Sequence, residues 1–123
     1  LKFYGQFDPP VDKVLYDRYF KDKENGVSIE CGALDGHWEC STKFFEENLN
    51  WKTINIEPLP IAYDRLKNNR PKSINLEIGL SNSSGDRKFF NYKHPTFGFF
   101  WGNGSIKHTD AHKLSLEQDC GKD

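Results

Sequence analysis

Apolar side chains recur at helical spacing at Val11, Val14, Leu15 and Tyr19, which predicts a first helix. Asp8 followed by Pro9 and Pro10 marks its start, because Asp can cap a helix and proline is tolerated in the first turn. The charged run Lys21 to Glu24, closed by Asn25-Gly26, reads as a turn. Val27 to Cys31 is short and rich in β-formers, so it reads as a strand. A second helix fits Ser41 to Leu49, with Phe44, Phe45 and Leu49 on one side. Thr53 to Glu57 is a second strand, stopped by Pro58, and Pro60 opens a third helix carrying Tyr63 and Leu66. That helix ends before Pro71, since the residue preceding proline avoids the helical region. Ser73 to Ile78 is a third strand. Lys88 to Tyr92 is a fourth, folded back on the third as a hairpin across the turn Asn82-Ser83-Ser84-Gly85. The aromatic stretch Phe97 to Trp101 reads as an edge strand or a packed loop, and residues 106–123 predict no element.

Strand, helix, strand, helix, strand is the pattern of an α/β fold with a parallel sheet and crossover helices. Right-handed crossovers place the first three strands side by side in the order three, two, one. In such a sheet a ligand lies outside the carboxyl ends of the strands. Glu30, Glu57 and Glu77 fall at those ends.

A chain of 123 residues suits one domain, spanning 1–123. With 10 Phe, 5 Tyr and 3 Trp it can bury a core, which excludes disorder throughout. Seventeen basic against eighteen acidic residues leave a net charge of -1, so nothing in the charge suggests a nucleic-acid partner. The wholly apolar stretches are a few residues long, too short for a membrane-spanning helix or a signal-peptide centre. Cys31, Cys40 and Cys120 have no zinc-site spacing and cannot form a closed disulfide framework, which points to a reduced, cytoplasmic compartment. The chain contains no Met and begins at Leu1, which implies a removed start or a piece of a longer protein.

Two features carry candidate chemistry. Glu30-Cys31-Gly32-Ala33-Leu34-Asp35-Gly36 puts an acid at the end of the first strand and two glycines in the turn after it. A glycine lets a ligand approach the backbone, because no Cβ intervenes. The pattern is neither G-x-G-x-x-G nor a P-loop, so a pyrophosphate cradle and a nicotinamide-dependent dehydrogenase are poorly supported. A tight strand-to-helix turn with an exposed acid is the plain structural alternative. Glu57, at the end of the second strand, could accept hydrogen bonds from two adjacent ribose hydroxyls, or could be a solvated strand-end carboxylate. His108 and His112 are four apart and would share a helix face, but the H-E-x-x-H pattern fails and no metal site is expected. His37, just after the turn, reads as a loop histidine that could touch cofactor or substrate.

Several pieces in order resemble one family. They are Glu30, Gly32-Ala33, Asp35-Gly36, Ser41-Thr42 with Glu46, Trp51, Ile56-Glu57-Pro58, Asn69-Arg70-Pro71 and the segment Gly79 to Gly85. Together they resemble the FkbM family of S-adenosylmethionine-dependent methyltransferases, over roughly residues 4 to 92, with Tyr4-Gly5-Gln6 and Asp8 resembling its start. The resemblance implies a Rossmann-like methyltransferase fold and S-adenosylmethionine as cofactor. It implies that Glu30 faces the amino-acid end of the cofactor, and that Gly32, Ala33 and Gly36 let it lie against the backbone. Asp35 would hold the methionine portion or order the loop, and Glu57 would bind the ribose hydroxyls. Pro58 would lie beside the adenine, Gly79-Leu80-Ser81 would border it, and Gln6 would close the site from the amino-terminal side.

The implied reaction is methyl transfer to a hydroxyl oxygen of a small molecule or glycan, with no catalytic residue assigned. The family's later Asp-x-Glu-Gly-like strand has no counterpart here, which implies that the chain is the amino-terminal portion of the domain, truncated after the first half. Cys40-Ser41-Thr42 also departs slightly from the Ser-Asn-Thr of relatives. The rival reading is a non-catalytic, methyltransferase-like interaction domain.

Overall fold

The computed structural model describes residues 1–98 and 104–120. They divide into two compact units, Leu1–Leu80 and Ser81–Asp123.

The first unit is a three-stranded sheet of β1 (Val27–Cys31), β2 (Lys52–Ile56) and β3 (Ile74–Leu76), in the order β1-β2-β3. Both pairings are parallel, with Ile29 opposite Ile54 and Ile54 opposite Ile74. Parallel neighbours need crossovers. Here α2 (Lys43–Leu49) links β1 to β2, and α3 (Pro60–Asn69) links β2 to β3. The strand order and both crossovers are as the hydrophobic pattern predicts.

Ahead of the sheet, α1 (Val11–Leu15) continues as a π-helical turn over Tyr16–Phe20. Asp8 does not cap it; Pro10 occupies that position, and no side chain caps the helix. The acid that matters is Asp12, which is fully buried and accepts the amides of Tyr4 at 2.7 Å and Gly5 at 3.0 Å. That pair of bonds ties the amino-terminal segment to α1. Phe44 is fully buried, with the rings of Phe3 and Tyr16 at 4.4 and 5.0 Å. Phe45, Phe20 and Trp51 pack as a mutual cluster of three rings.

The two faces of the sheet invert the usual pattern. Ser28, Glu30, Thr53, Asn55 and Asn75 share one face by register, and Thr53 and Asn55 are buried. Their polar groups pair with each other: Ser28 with Thr53 at 3.0 Å, and Asn55 with Asn75 at 3.0 Å. The opposite face carries Val27, Ile29 and Ile74, which are 66%, 61% and 57% exposed.

In the second unit the expected fourth strand is absent. Phe90 exchanges both backbone bonds with Ser105, at 2.8 Å each, so residues 88–92 form an isolated antiparallel bridge instead of a hairpin with β3. His94 and Gly98 form another such bridge. The polar tail, where no element was expected, contains α4 (Asp110–Cys120). Thr109 starts it, accepting the His112 amide on its hydroxyl at 3.2 Å and the Lys113 amide on its carbonyl at 2.8 Å. The aromatic stretch Phe97 to Trp101 extends into residues 99–101, which lie outside the described residues.

Candidate cofactor site

The carboxyl ends of β1 and β2 are locked together by backbone and side chain. The amides of Gly32 and Ala33 donate to the Ile56 carbonyl, at 2.8 and 3.1 Å. Glu57, 5% exposed, then reaches back from the end of β2. Its Oε1 accepts the Leu34 amide at 2.8 Å, and its Oε2 accepts the Leu59 amide at 3.0 Å. Leu34 needs such an anchor, because its φ of 52° lies in the left-handed region that side chains disfavour. Each carboxylate oxygen has a further lone pair beyond the amide bond it accepts.

The two glycines of the turn have different surroundings. Both have φ of 73°. A Cβ on Gly32 would meet nothing within 4 Å, so its backbone is open to an approaching group. A Cβ on Gly36 would come within 2.6 Å of Leu66 Cδ1 and Arg70 Cγ. Gly36 therefore faces inward, packed under the end of α3. Ala33 is buried as well, at 3% exposure.

Glu30 is committed to the segment that starts α2. Its Oε1 accepts the Ser41 amide at 3.0 Å, and its Oε2 accepts the Cys40 thiol at 3.1 Å and the Thr42 hydroxyl. This pinning explains why α2 begins at Lys43 and not at Ser41. Burial first, and then the charge of Glu30, pushes the Cys40 thiol above its ordinary pKa. Asp35 accepts the amides of His37 and Trp38 on one oxygen, at 2.9 and 2.7 Å, and so orders the loop behind the turn. Beyond β3, Gly79 adjoins Pro58: a Cβ built on Gly79 would lie 3.8 Å from Pro58 Cβ. Leu80 beside it is 60% exposed.

The structure thus gathers Glu57 onto the Gly32–Gly36 turn and brings Pro58 against Gly79. Glu30 is not joined to Glu57; the two acids serve different backbone segments. Gln6 lies in the amino-terminal segment, where its carbonyl accepts the Val11 amide at 3.0 Å. His108 precedes α4 and His112 lies within it, with their rings 5.2 Å apart. Among the described residues no group of three or more His, Cys, Asp or Glu converges as metal ligands.

Two residues gain a role that the sequence alone does not assign: Glu46 and Arg70. Arg70 is 3% exposed, and its Nε donates to Glu46 Oε2 at 2.6 Å. The same oxygen accepts the Ser73 hydroxyl at 2.7 Å. This buried ion pair ties α2 to the end of α3, and the Ser73 bond ties it to the residue before β3. The signal in the sequence is the Asn69-Arg70-Pro71 run, an arginine placed at the end of a helix and just before a strand.

A parallel, crossover-connected sheet with an open glycine turn after β1 and an acid at the end of β2 makes this a small α/β protein, compatible with a Rossmann-like fold. The chain belongs to the family described as the methyltransferase FkbM domain, whose profile matches residues 30–121. The match begins at the acid of the glycine turn, leaving Tyr4-Gly5-Gln6 outside, and extends past Tyr92 through most of the second unit. No curated protein and no solved structure matches the chain. Among the described residues no helix is long and apolar enough to cross a membrane.

Proposed function

We propose that this chain carries the cofactor-binding portion of an S-adenosylmethionine-dependent methyltransferase that methylates a hydroxyl oxygen on a small molecule or glycan. Membership of the family supports the reaction class. The observation that carries the site is the open face of Gly32 next to a Glu57 carboxylate fixed by two amides.

In this reading the open backbone of Gly32 faces the methionine portion, with the buried Ala33 supporting it from behind. Glu57 accepts the ribose hydroxyls on its remaining lone pairs. Pro58, Gly79 and Leu80 flank the adenine, with the exposed Leu80 side chain supplying apolar surface. Glu30, Asp35 and Gly36 act behind this surface by shaping the turn. The cofactor supplies an electrophilic sulfonium methyl. The acceptor oxygen forms the new bond to it as the carbon–sulfur bond breaks, and the hydroxyl proton leaves to solvent or to a base. The protein's contribution is alignment at short range. The three cysteines among the described residues are free thiols, which supports a reducing, cytoplasmic setting.

One observation favours a second reading. Glu30 and Glu57 each direct both carboxylate oxygens at protein donors, as a purely architectural turn would require. A binding domain that keeps the fold without the cofactor would look the same. Calorimetric titration with S-adenosylmethionine separates the two. Saturable binding that weakens by more than about tenfold in Glu57→Ala is expected for a ribose contact. Unchanged affinity in that variant removes Glu57 from the site.

A further inference from the structure

The last turn of α3 and its C-cap residue, Arg70, present Leu66, Asn69 and Arg70 on one face, at i, i+3 and i+4. That face lies against the glycine turn. Asn69 Nδ2 donates to the Asp35 carbonyl at 2.9 Å. Arg70 Nη1 donates to the Gly36 carbonyl at 3.2 Å and to Cys40 Sγ at 3.2 Å. Leu66 and the Arg70 stem fill the space where a Gly36 side chain would be.

We propose that Asn69 and Arg70 are positioning residues for the cofactor, holding the Asp35 and Gly36 carbonyls so that the turn keeps its binding shape without either side chain touching the ligand. The inference rests on the cofactor reading given above. The turn has reason to need external support. Gly32, Leu34, Gly36 and Glu39 all have positive φ, at 73°, 52°, 73° and 52°. A non-glycine residue in that region persists only where its surroundings over-determine it. Glu57 fixes the front of the turn through Leu34, and α3 fixes its back through Asp35 and Gly36. Arg70 in turn is oriented by Glu46, so the ion pair sets the guanidinium at the angle that reaches Gly36. A lysine could keep the charge for Glu46 but has no fork to reach both partners.

The test uses the whole chain and reads two quantities for each variant: affinity for S-adenosylmethionine and the thermal midpoint. Arg70→Lys is expected to weaken binding by roughly tenfold or more at a temperature where it is fully folded. Asn69→Ala, which removes one exposed hydrogen bond, is expected to weaken it about threefold. Phe45→Leu, in the aromatic cluster with Phe20 and Trp51, serves as a control that lowers the midpoint and leaves the affinity unchanged. If both α3 variants bind as the unmodified protein does, while Glu57→Ala does not, the positioning role is overturned and the cofactor reading stands. The positioning role is overturned equally if affinity falls in all variants in proportion to stability, Phe45→Leu included. If the unmodified chain does not bind, the cofactor reading and this inference fall together.

Discussion

The Glu57 carboxylate lies 2.8 Å from the Leu34 amide, joining the end of β2 to a left-handed residue in the turn after β1. That bond makes the turn and the acid one object. Movement of either would displace the other, so the candidate ribose acceptor and the open Gly32 backbone keep a fixed spacing. The same bond makes the buried Glu57 part of the architecture of the turn.

The two glycines of the turn should respond differently to substitution. Gly32→Ala meets no steric obstacle and should cost about 1–2 kcal/mol from its backbone conformation alone. Gly36→Ala carries the same backbone cost and also collides with Leu66 and Arg70, adding about 1–3 kcal/mol of overpacking. Denaturant unfolding of the two variants checks the order. Equal losses would contradict the inward placement of Gly36.

How much of this was legible in the sequence depends on the range of the interactions. The three parallel strands and their crossovers followed from short runs of β-formers bounded by Asn-Gly and by Pro58 and Pro71. The Lys88–Tyr92 strand failed because alternation along one segment says nothing about its partner, and Phe90 pairs with Ser105. The last helix is hard to read because Leu114 and Leu116 are nearly its only large apolar residues; its legible signal is Thr109 ahead of Asp110. Glu30 and Glu57 stood out as strand-end acids, but their amide partners depend on loop conformation. Arg70 and Glu46 are 24 residues apart, and their pairing exists only once α2 and α3 are both in place.

Tyr4 gives a pH-dependent signature. Its hydroxyl donates to Glu47 at 2.6 Å, and that bond, with burial and the Glu47 charge, pushes its pKa from 10.0 to about 12. The folded state holds the phenol proton more tightly than the unfolded state. The contribution to stability is therefore complete below pH 10 and is lost as the pH rises to about 12. Phenolate absorbance should show one tyrosine titrating late, and Glu47→Gln should return it towards the ordinary range. An unchanged titration curve in that variant would contradict the contact.

The cysteines should differ in reactivity. Cys31 is exposed, whereas Cys40 is 1% exposed with its thiol pKa raised by burial and by Glu30. The thiolate is the reactive form, so alkylation of Cys40 in the folded protein should be roughly tenfold or more slower than that of Cys31. Peptide mapping after brief alkylation checks this, and equal labelling would contradict the buried placement of Cys40.

The exposed apolar face of the sheet has a colloidal consequence. Val27 and Ile29 lie on β1, which is an edge strand of the sheet among the described residues, and an edge strand is a template for pairing with another chain. The chain should self-associate with rising concentration, and Ile29→Lys should reduce this. Sedimentation velocity giving one concentration-independent monomer for the unmodified chain would contradict it.

The central claim is that the turn after β1, clamped by Glu57, receives the cofactor. Amide chemical shifts recorded during titration with S-adenosylmethionine test it residue by residue. Saturable shifts should concentrate at Gly32, Ala33, Leu34, Gly79 and Leu80, and leave Val27 and Lys52, at the opposite ends of β1 and β2, unmoved. Saturation that moves none of the turn amides, or no saturation at all, would contradict the account.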